Sequence, residues 1–215
     1  MIKLVWTALA VSLFPISSRG ADALLPANVR FQKADTDEVP SFQRHVIPLM
    51  GRLGCNGRAC HGSFQGQGGF RLSLFGYDFK TDHNALVGGD EPRANLKSPK
   101  DSLMLKKPAR QIAHKGGKRM EVDGWEYNLL LRWIVAGGPA VKDKDATFTT
   151  LEIEPREIVF AKTGETKQLK IVAKWSDGSI EDVTPLCRFR SNDESIATVS
   201  EAGVVAPTGK GGTPV

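Results

Sequence analysis

The chain has 215 residues, of which 40% are hydrophobic and 25% charged, and a formal net charge of +5 at pH 7. This composition is that of an ordinary globular protein with room for one or two small domains. Lys and Arg are scattered apart from a short run at residues 115–119, which gives little support for a nucleic-acid-binding protein. The mild positive charge suits docking onto an acidic protein partner instead.

Residues 1–23 have the layout of a secretory signal peptide. A short positive start at Met1–Lys3 precedes an apolar run at residues 4–16, and the small residues Ala21 and Ala23 follow. The apolar run is well short of the ~20 residues that a membrane-spanning helix needs, and no later segment is long or apolar enough to span a bilayer. The pattern predicts cleavage after Ala23, with Gly20 as the alternative, and an exported mature chain in the periplasm or at the cell surface.

Residues 24–40 are rich in Pro, Asp and Glu and predict an extended leader. Apolar residues then recur at helical spacing over residues 42–53, with Ser41 as the N-cap. Pro48 lies inside this repeat and should kink the helix or shift its start. The helix is expected to end at Gly54.

The middle of the chain alternates between glycine-rich loops and short helices. Residues 62–76 are dense in glycine and predict an irregular loop whose apolar side chains wrap something apolar. Two short helices are predicted at residues 81–87 and 102–106. A longer helix should begin at Asp123, with Glu126 completing a capping box, and should end at residues 137–139, which read Gly-Gly-Pro.

Beyond a charged and polar linker at residues 141–149, the pattern changes to that of β-strands. Strands are predicted around 151–153, 169–175, 187–190, 196–199 and 204–206, with a turn at 176–178. Their spacing predicts an all-β sandwich over residues 150–215. Because a sandwich needs further strands to close, we expect this domain to be truncated and the chain to be part of a larger polypeptide.

The motif that carries chemistry is Cys55-Asn56-Gly57-Arg58-Ala59-Cys60-His61. Covalent haem attachment needs two thiols that add to the two vinyl groups and a histidine directly after the second thiol, so that its imidazole faces the iron. The usual motif has two residues between the cysteines, whereas this one has four. On spacing alone, a small disulfide loop and a metal site stay open, although zinc lacks a second ligand pair at suitable spacing.

The surroundings of the motif favour haem. An amphipathic helix leads into Cys55 and an aromatic-bearing helix follows later, which together provide the two-helix crossing of a small haem pocket. Phe64, Phe70 and Phe75 in the glycine-rich loop are expected to cover the porphyrin edge, and Trp133 is expected to pack near the porphyrin.

Three stretches are similar to planctomycete-type cytochrome c-like domains: residues 44–49 (Arg-His-Val-Ile-Pro-Leu), Cys60-His61-Gly62, and residues 132–139 (Arg-Trp-Ile-Val-Ala-Gly-Gly-Pro). The resemblance covers residues 41–140. Residues 150–215 resemble the start of a bacterial immunoglobulin-like group 2 domain through 175–178 and 195–199. The two resemblances imply a multi-domain chain, with a mostly α haem domain followed by an incomplete all-β Ig-like sandwich, in a larger surface or periplasmic protein.

The resemblance implies one haem c bound through Cys55 and Cys60, with His61 as an axial iron ligand. Small cytochromes supply a second ligand from the loop before the last helix. His114 is the preferred candidate there, Met120 is the alternative, and an open site is the third possibility. Two histidine ligands give a lower potential than His with Met, which raises the potential.

The sequence therefore predicts an electron carrier rather than an enzyme, with Lys115, Lys118 and Arg119 steering an acidic redox partner. A haem peroxidase would need an open sixth site. The alternative function is a non-redox surface or adhesion module, in which Cys55 and Cys60 form a disulfide and the Ig-like region acts as a spacer. The remaining candidate ligands, His45, His83 and Cys187, are expected to be structural or, for the histidines, solvated.

Overall fold

The structure, a computed structural model, describes residues 23–162 and 164–215. The predicted signal peptide lies outside the described residues apart from Ala23. The α-helices are α1 (Ala27–Arg30), α2 (Ile47–Arg52), α3 (Phe79–Val87), α4 (Leu103–Lys106) and α5 (Trp125–Val135). The strands are β1 (Phe148–Glu154), β2 (Lys167–Gln168), β3 (Lys170–Trp175), β4 (Ile180–Asp182), β5 (Ala197–Val199) and β6 (Val204–Pro207). Within the described ranges, no helix combines the length and apolarity needed to cross a bilayer.

The helical segment before the cysteine motif begins as predicted. The Ser41 hydroxyl accepts a hydrogen bond from the backbone N–H of Arg44 at 3.2 Å, which caps the segment. The backbone is π-helical over Phe42–Val46 and then continues as α2, with Pro48 in the first turn, where its missing N–H is tolerated. Pro48 therefore coincides with a change of helix type, and Gly54, at φ 78°, turns the chain towards the motif.

Helix α5 differs from the prediction at its start and agrees with it at its end. The predicted capping box is wrong, because Asp123 has a left-handed φ of 61° and the helix begins at Trp125 without a side-chain cap. The Asp123 carbonyl instead accepts a hydrogen bond from the Asn128 side chain at 3.0 Å. Gly137 and Gly138 then end the helix with φ of 88° and 61°, as predicted from their lack of a side chain.

The six strands form two small antiparallel sheets, in the orders β1-β3-β4 and β2-β6-β5. In the first sheet Leu151 pairs with Ala173, and residues 176–178 form the turn between β3 and β4. The predicted strand at 187–190 is wrong: these residues follow a 3₁₀ turn at Thr184–Leu186 and have no strand partner. The β character expected after residue 150 is present, while the Ig-like sandwich stays a prediction.

The expected extended leader, residues 24–40, is part of the folded structure. Leu24 pairs with the edge of β4, where its N–H donates to the Ile180 carbonyl at 2.8 Å. Helix α1 follows, and Ala27 and Phe31 are completely buried. Apolar residues among the charges of this segment therefore anchor it in the core, which the polar composition concealed.

The helical and β-rich regions share one hydrophobic core. Phe31, Leu49 and Trp133 of the helical region belong to the same buried cluster as Ile171 and Trp175 of β3. The second sheet has only a small cluster of its own, formed by Leu169, Ala197 and Val205. The predicted boundary at residues 141–149 therefore separates two regions of sequence that pack against each other.

A buried polar cluster joins the same two regions. Glu181 of β4 is completely buried and accepts hydrogen bonds from Arg30 and from the His45 ring, whose Nε2 lies 2.8 Å from its Oε1. The His45 Nδ1 accepts from the Ser41 backbone N–H at 2.9 Å, so both ring nitrogens of His45 are occupied. Nearby, Arg44 lies 4.4 Å from the centre of the Trp175 ring. His45 is thus structural and buried rather than solvated.

We expect Glu181→Gln to lower the free energy of unfolding by about 3 kcal/mol at pH 7, because Arg30 and His45 would lose the buried carboxylate that they share and Arg30 would keep only its pair with the half-buried Glu38. Burial raises the pKa of Glu181, but the His45 hydrogen bond and the surrounding positive charges outweigh burial and leave that pKa below its ordinary value. The stabilisation should therefore be complete above the ordinary carboxyl pKa and decline as the pH falls through the lowered one. Urea unfolding at neutral and acidic pH measures both effects.

The matched control is Glu152→Gln on β1. Glu152 pairs with Lys174 at 2.7 Å, and both side chains are about 40% exposed, so its loss should change stability by less than about 1 kcal/mol. Equal effects of the two substitutions would contradict the role given to the buried cluster.

Candidate functional site

A cleft lies among helices α2, α4 and α5 and the loops that connect them. The cleft is partly open to solvent, and a concave, largely apolar surface of this kind is typical of small-molecule sites. Its apolar lining comprises Met50, Leu53, Phe70, Leu103, Met104, Pro108 and Leu130. The cleft also contains the four predicted site residues Cys55, Cys60, His61 and His114. Side chains that are distant in sequence therefore meet in one largely apolar cavity.

The cysteine motif folds as a compact loop closed by backbone hydrogen bonds. The His61 N–H donates to the Cys55 carbonyl at 2.9 Å, and the Cys60 N–H donates to the Gly57 carbonyl at 3.0 Å. Of the four residues between the cysteines, Asn56 is buried, whereas Arg58 and Ala59 are exposed. The longer spacing is thus accommodated by one residue turned inward and two turned outward.

Gly62, directly after the motif, permits this loop to close. A Cβ at this position would lie 2.0 Å from the Asn56 carbonyl oxygen, which is far inside van der Waals contact. The Asn56 side-chain amide is buried and has no hydrogen-bond partner among the described residues, whereas the Asn56 backbone carbonyl accepts from the Phe75 N–H at 3.1 Å. The motif is therefore packed tightly against the glycine-rich loop that follows it.

His61 is held with one ring nitrogen free. Its Nδ1 lies 3.0 Å from the Phe70 carbonyl oxygen, which can only accept, so Nδ1 carries the proton and donates. Burial lowers the pKa of His61, the hydrogen bond to Phe70 opposes that shift, and the charge of His114 adds to the lowering. The neutral ring therefore keeps the lone pair on Nε2, the form in which imidazole binds metals.

His114 has the same arrangement on another loop. Its Nδ1 donates to the Gly117 carbonyl at 2.8 Å, and the Gly117 N–H donates back to the His114 carbonyl at 3.1 Å. A Cβ at Gly116 would lie 2.8 Å from the imidazole Cε1, so the ring lies close to the glycine backbone. Both histidines thus use Nδ1 for a backbone hydrogen bond and leave Nε2 available.

The structure does not bring Met120 to the cleft. Met120 is only 5% exposed and packs in the hydrophobic core, outside the residues that line the cavity. The methionines that do line it are Met50 on α2 and Met104 on α4. Sequence reasoning missed Met104 because a lone methionine in a short helix has no distinctive pattern.

The thiols of the motif differ in their surroundings. Burial raises the pKa of Cys55 to about 11, the charge of Cys60 adds to the rise, and Arg119 opposes it. Cys187 lies apart in the β-rich region, where its Sγ donates to the Val183 carbonyl at 3.3 Å and burial raises its pKa to about 11. All three cysteines are free thiols in the described chain.

Aromatic residues are arranged differently from the expectation. Trp133 is completely buried, packs 5.4 Å from the Phe42 ring centre and does not line the cleft. Phe64 and Phe75 are 86% and 72% exposed, so of the loop aromatics only Phe70 lines the cavity. His83 donates from Nε2 to the Gly138 carbonyl at 2.7 Å, which agrees with a structural role.

Three cationic side chains, Arg93, Lys107 and Arg119, complete the lining. No sequence signal singled out Arg93 or Lys107, since basic residues are scattered along the chain. The donor groups surround the cavity without converging on one point: the described residues include no group of three or more His, Cys, Asp or Glu side chains able to hold a metal ion.

Comparison with known proteins adds no relative: no protein-family model matches the chain, and no curated protein is similar to it. The site therefore has to be interpreted from its own geometry.

We expect Gly62→Ala to lower the free energy of unfolding by about 2 kcal/mol or more, because the added methyl group cannot coexist with the Asn56 carbonyl. Displacement of the loop should also speed the reaction of Cys55 with a thiol reagent. Gly212→Ala is the control: a Cβ there meets nothing within 4 Å, so stability should change by less than about 0.5 kcal/mol. Chemical unfolding and thiol kinetics test this, and a Gly62→Ala protein of wild-type stability would contradict it.

Proposed function

We propose that this chain is an exported electron carrier that binds one haem c through Cys55 and Cys60, with His61 and His114 as the two axial iron ligands. The observation that carries the proposal is the presence of both thiols and both free imidazole Nε2 atoms in one apolar cleft. His114 is distant from the motif in sequence, and its place in the same cavity is independent of the motif's spacing.

The lining of the cleft suits a porphyrin chemically. The apolar side chains of three helices provide a surface for a large flat ring. If haem binds, Cys55 and Cys60 would hold it covalently, and His61 and His114 would be the candidate ligands of its iron. When bound, the haem iron would supply one-electron chemistry, whose potential depends on its ligands and on burial.

The chain's own residues would prepare the site before the haem enters. The Phe70 and Gly117 carbonyls fix the orientation of the two imidazoles, and this outer hydrogen bond also makes each ring a better ligand. The lowered pKa of His61 keeps its Nε2 unprotonated at neutral pH. Two histidine ligands would give a lower potential than a histidine–methionine pair.

The same proposal has three further parts. The signal-peptide pattern supports export, and the two antiparallel sheets support the Ig-like character of residues 150–215. The cysteine motif supports membership of the cytochrome c-like class. The redox partner is proposed to be an acidic protein. Of the basic run, Lys118 pairs with Glu121 at 2.5 Å and Arg119 lines the cleft, so that Lys115 would provide most of the attraction.

The proposal predicts covalent haem in protein matured by a host that ligates haem c. The reduced protein should show sharp absorption bands that survive extraction with acidic acetone. Replacing both Cys55 and Cys60 by Ser should abolish the retained colour, while Cys187→Ser, the control, should keep it. A colourless wild-type protein, or a doubly substituted protein that keeps covalent haem, would contradict the proposal.

A colourless wild-type protein with a bond between Cys55 and Cys60 in its peptide map would instead support the adhesion module. The same spectra test the enzyme alternative. A haem peroxidase would have an open sixth position at the iron, so a six-coordinate, low-spin spectrum would argue against it.

The second axial ligand can be tested separately. We expect His114→Ala to lose the six-coordinate, low-spin spectrum or to raise the potential if a methionine of the cleft replaces the imidazole. Met120→Leu preserves volume in the core and should keep both the spectrum and the potential, with stability lowered by less than about 1.5 kcal/mol. Spectra and redox titration of the two variants measure this. Loss of low-spin ligation in Met120→Leu alone would assign the ligand to Met120.

A further inference from the structure

We propose that Lys107 and Arg119, assisted by Arg93, form an anion-binding rim that receives the two carboxylates of the ligand in the cleft. This inference rests on the proposed haem site and names the groups that would orient the haem in it, since iron protoporphyrin carries two propionate side chains. The three residues would then be positioning residues for the ligand.

The charge of the cleft is one-sided. Arg93, Lys107 and Arg119 line it, and its described lining includes no Asp or Glu. Positive charges beside an apolar cavity are unfavourable unless an anion or water compensates them. A ligand that is apolar over most of its surface and anionic at one edge matches both properties.

The lysines next to Lys107 and Arg119 in sequence differ from them because each has an acidic partner. Lys106 pairs with Asp101 at 2.6 Å, and Lys118 pairs with Glu121 at 2.5 Å. Lys107, the next residue along the chain, has no acidic partner within the described ranges, and the same holds for Arg119, next to Lys118. In each adjacent pair, the residue that lines the cleft is the one left without a carboxylate.

The cationic groups are also positioned to act inside the site. The Arg119 Nε–H donates to the Gly116 carbonyl at 2.8 Å, which fixes the guanidinium beside the His114 loop and leaves its terminal N–H groups available. Arg119 and Lys107 line the same cleft as Cys55 and His61. Both charges therefore lie beside the cavity in which the haem would bind.

Arg93 has a weaker hold on its own acidic neighbour. Its guanidinium lies over the Phe70 ring, 5.4 Å from the centre. Glu91 approaches it only to 3.9 Å, and the Glu91 side chain is 85% exposed, so this pair contributes little. Arg93 can thus turn towards a carboxylate in the cleft, and a guanidinium can bind a carboxylate through two parallel hydrogen bonds.

The test compares iron protoporphyrin with its dimethyl ester, in which both carboxylates are neutralised. Each is titrated into the full mature chain, purified without haem, and binding is followed by absorbance. The test variant is Lys107→Gln with Arg119→Gln. The matched control is Lys106→Gln with Lys118→Gln, which removes the same charge from the same two segments but leaves the cleft rim intact.

The Kd of the diester divided by the Kd of the free acid measures the preference of each protein for free carboxylates. We expect this ratio to be at least about tenfold larger for the wild-type and control proteins than for the test variant, because each charge-assisted hydrogen bond contributes appreciably. The ratio of the two ligands within one protein cancels any general loss of stability. If the test variant keeps the wild-type ratio while both ligands bind, the rim is refuted and the haem proposal stands. If neither ligand binds the wild-type protein, the haem proposal itself fails.

Discussion

The site depends on one close backbone contact, the approach of Gly62 to the Asn56 carbonyl, which only a residue without a side chain permits. This contact closes the loop between the cysteines and allows the His61 N–H to bond to the Cys55 carbonyl. The loop in turn bonds to the glycine-rich segment, whose Phe70 carbonyl holds the imidazole Nδ1. The orientation of the candidate ligand therefore follows from a backbone arrangement rather than from side-chain packing alone.

The cleft and the β-rich region are connected through the same helical segment. The π-helical turn before α2 contributes His45 to the buried cluster with Glu181, and α2 contributes Met50 to the cleft. Since removing one partner from a buried charge cluster is strongly destabilising, the β-rich region supports the segment that leads into the motif. The helical region and the first sheet therefore share one hydrophobic core.

Local patterns predicted most of the elements, because helix caps, turns and alternation are properties of neighbouring residues. Ser41, the glycine stop of α5 and the strands β1 and β3 are examples. The errors arose where a local motif met a tertiary requirement. Asp123 has the sequence of a cap, but its left-handed backbone and the bond from Asn128 serve the packing of α5 instead. The leader was misread because a few buried apolar residues outweigh many charges.

The candidate site was predictable to the extent that it is encoded in one short motif. Cys55, Cys60 and His61 could be named from spacing, and His114 from its position before the last helix. Lys107 and Met104 could not, because they enter the cleft through the packing of α4 and leave no periodic trace in the sequence. Met120 was a reasonable alternative by distance along the chain, yet an apolar side chain there gains more from burial in the core.

Burial of Cys55 also bears on the two reactions considered for the motif's thiols, disulfide formation and covalent attachment of haem. Oxidation to a disulfide proceeds through the thiolate, and a Cys55 pKa of about 11 leaves very little thiolate at neutral pH. The apolar walls that raise this pKa are the same walls that favour entry of a large apolar ligand. The surroundings of Cys55 thus disfavour its own thiolate, so a disulfide between the two cysteines would have to begin at Cys60. The same surroundings suit the apolar ring of the proposed haem, which the spacing of the cysteines alone does not single out.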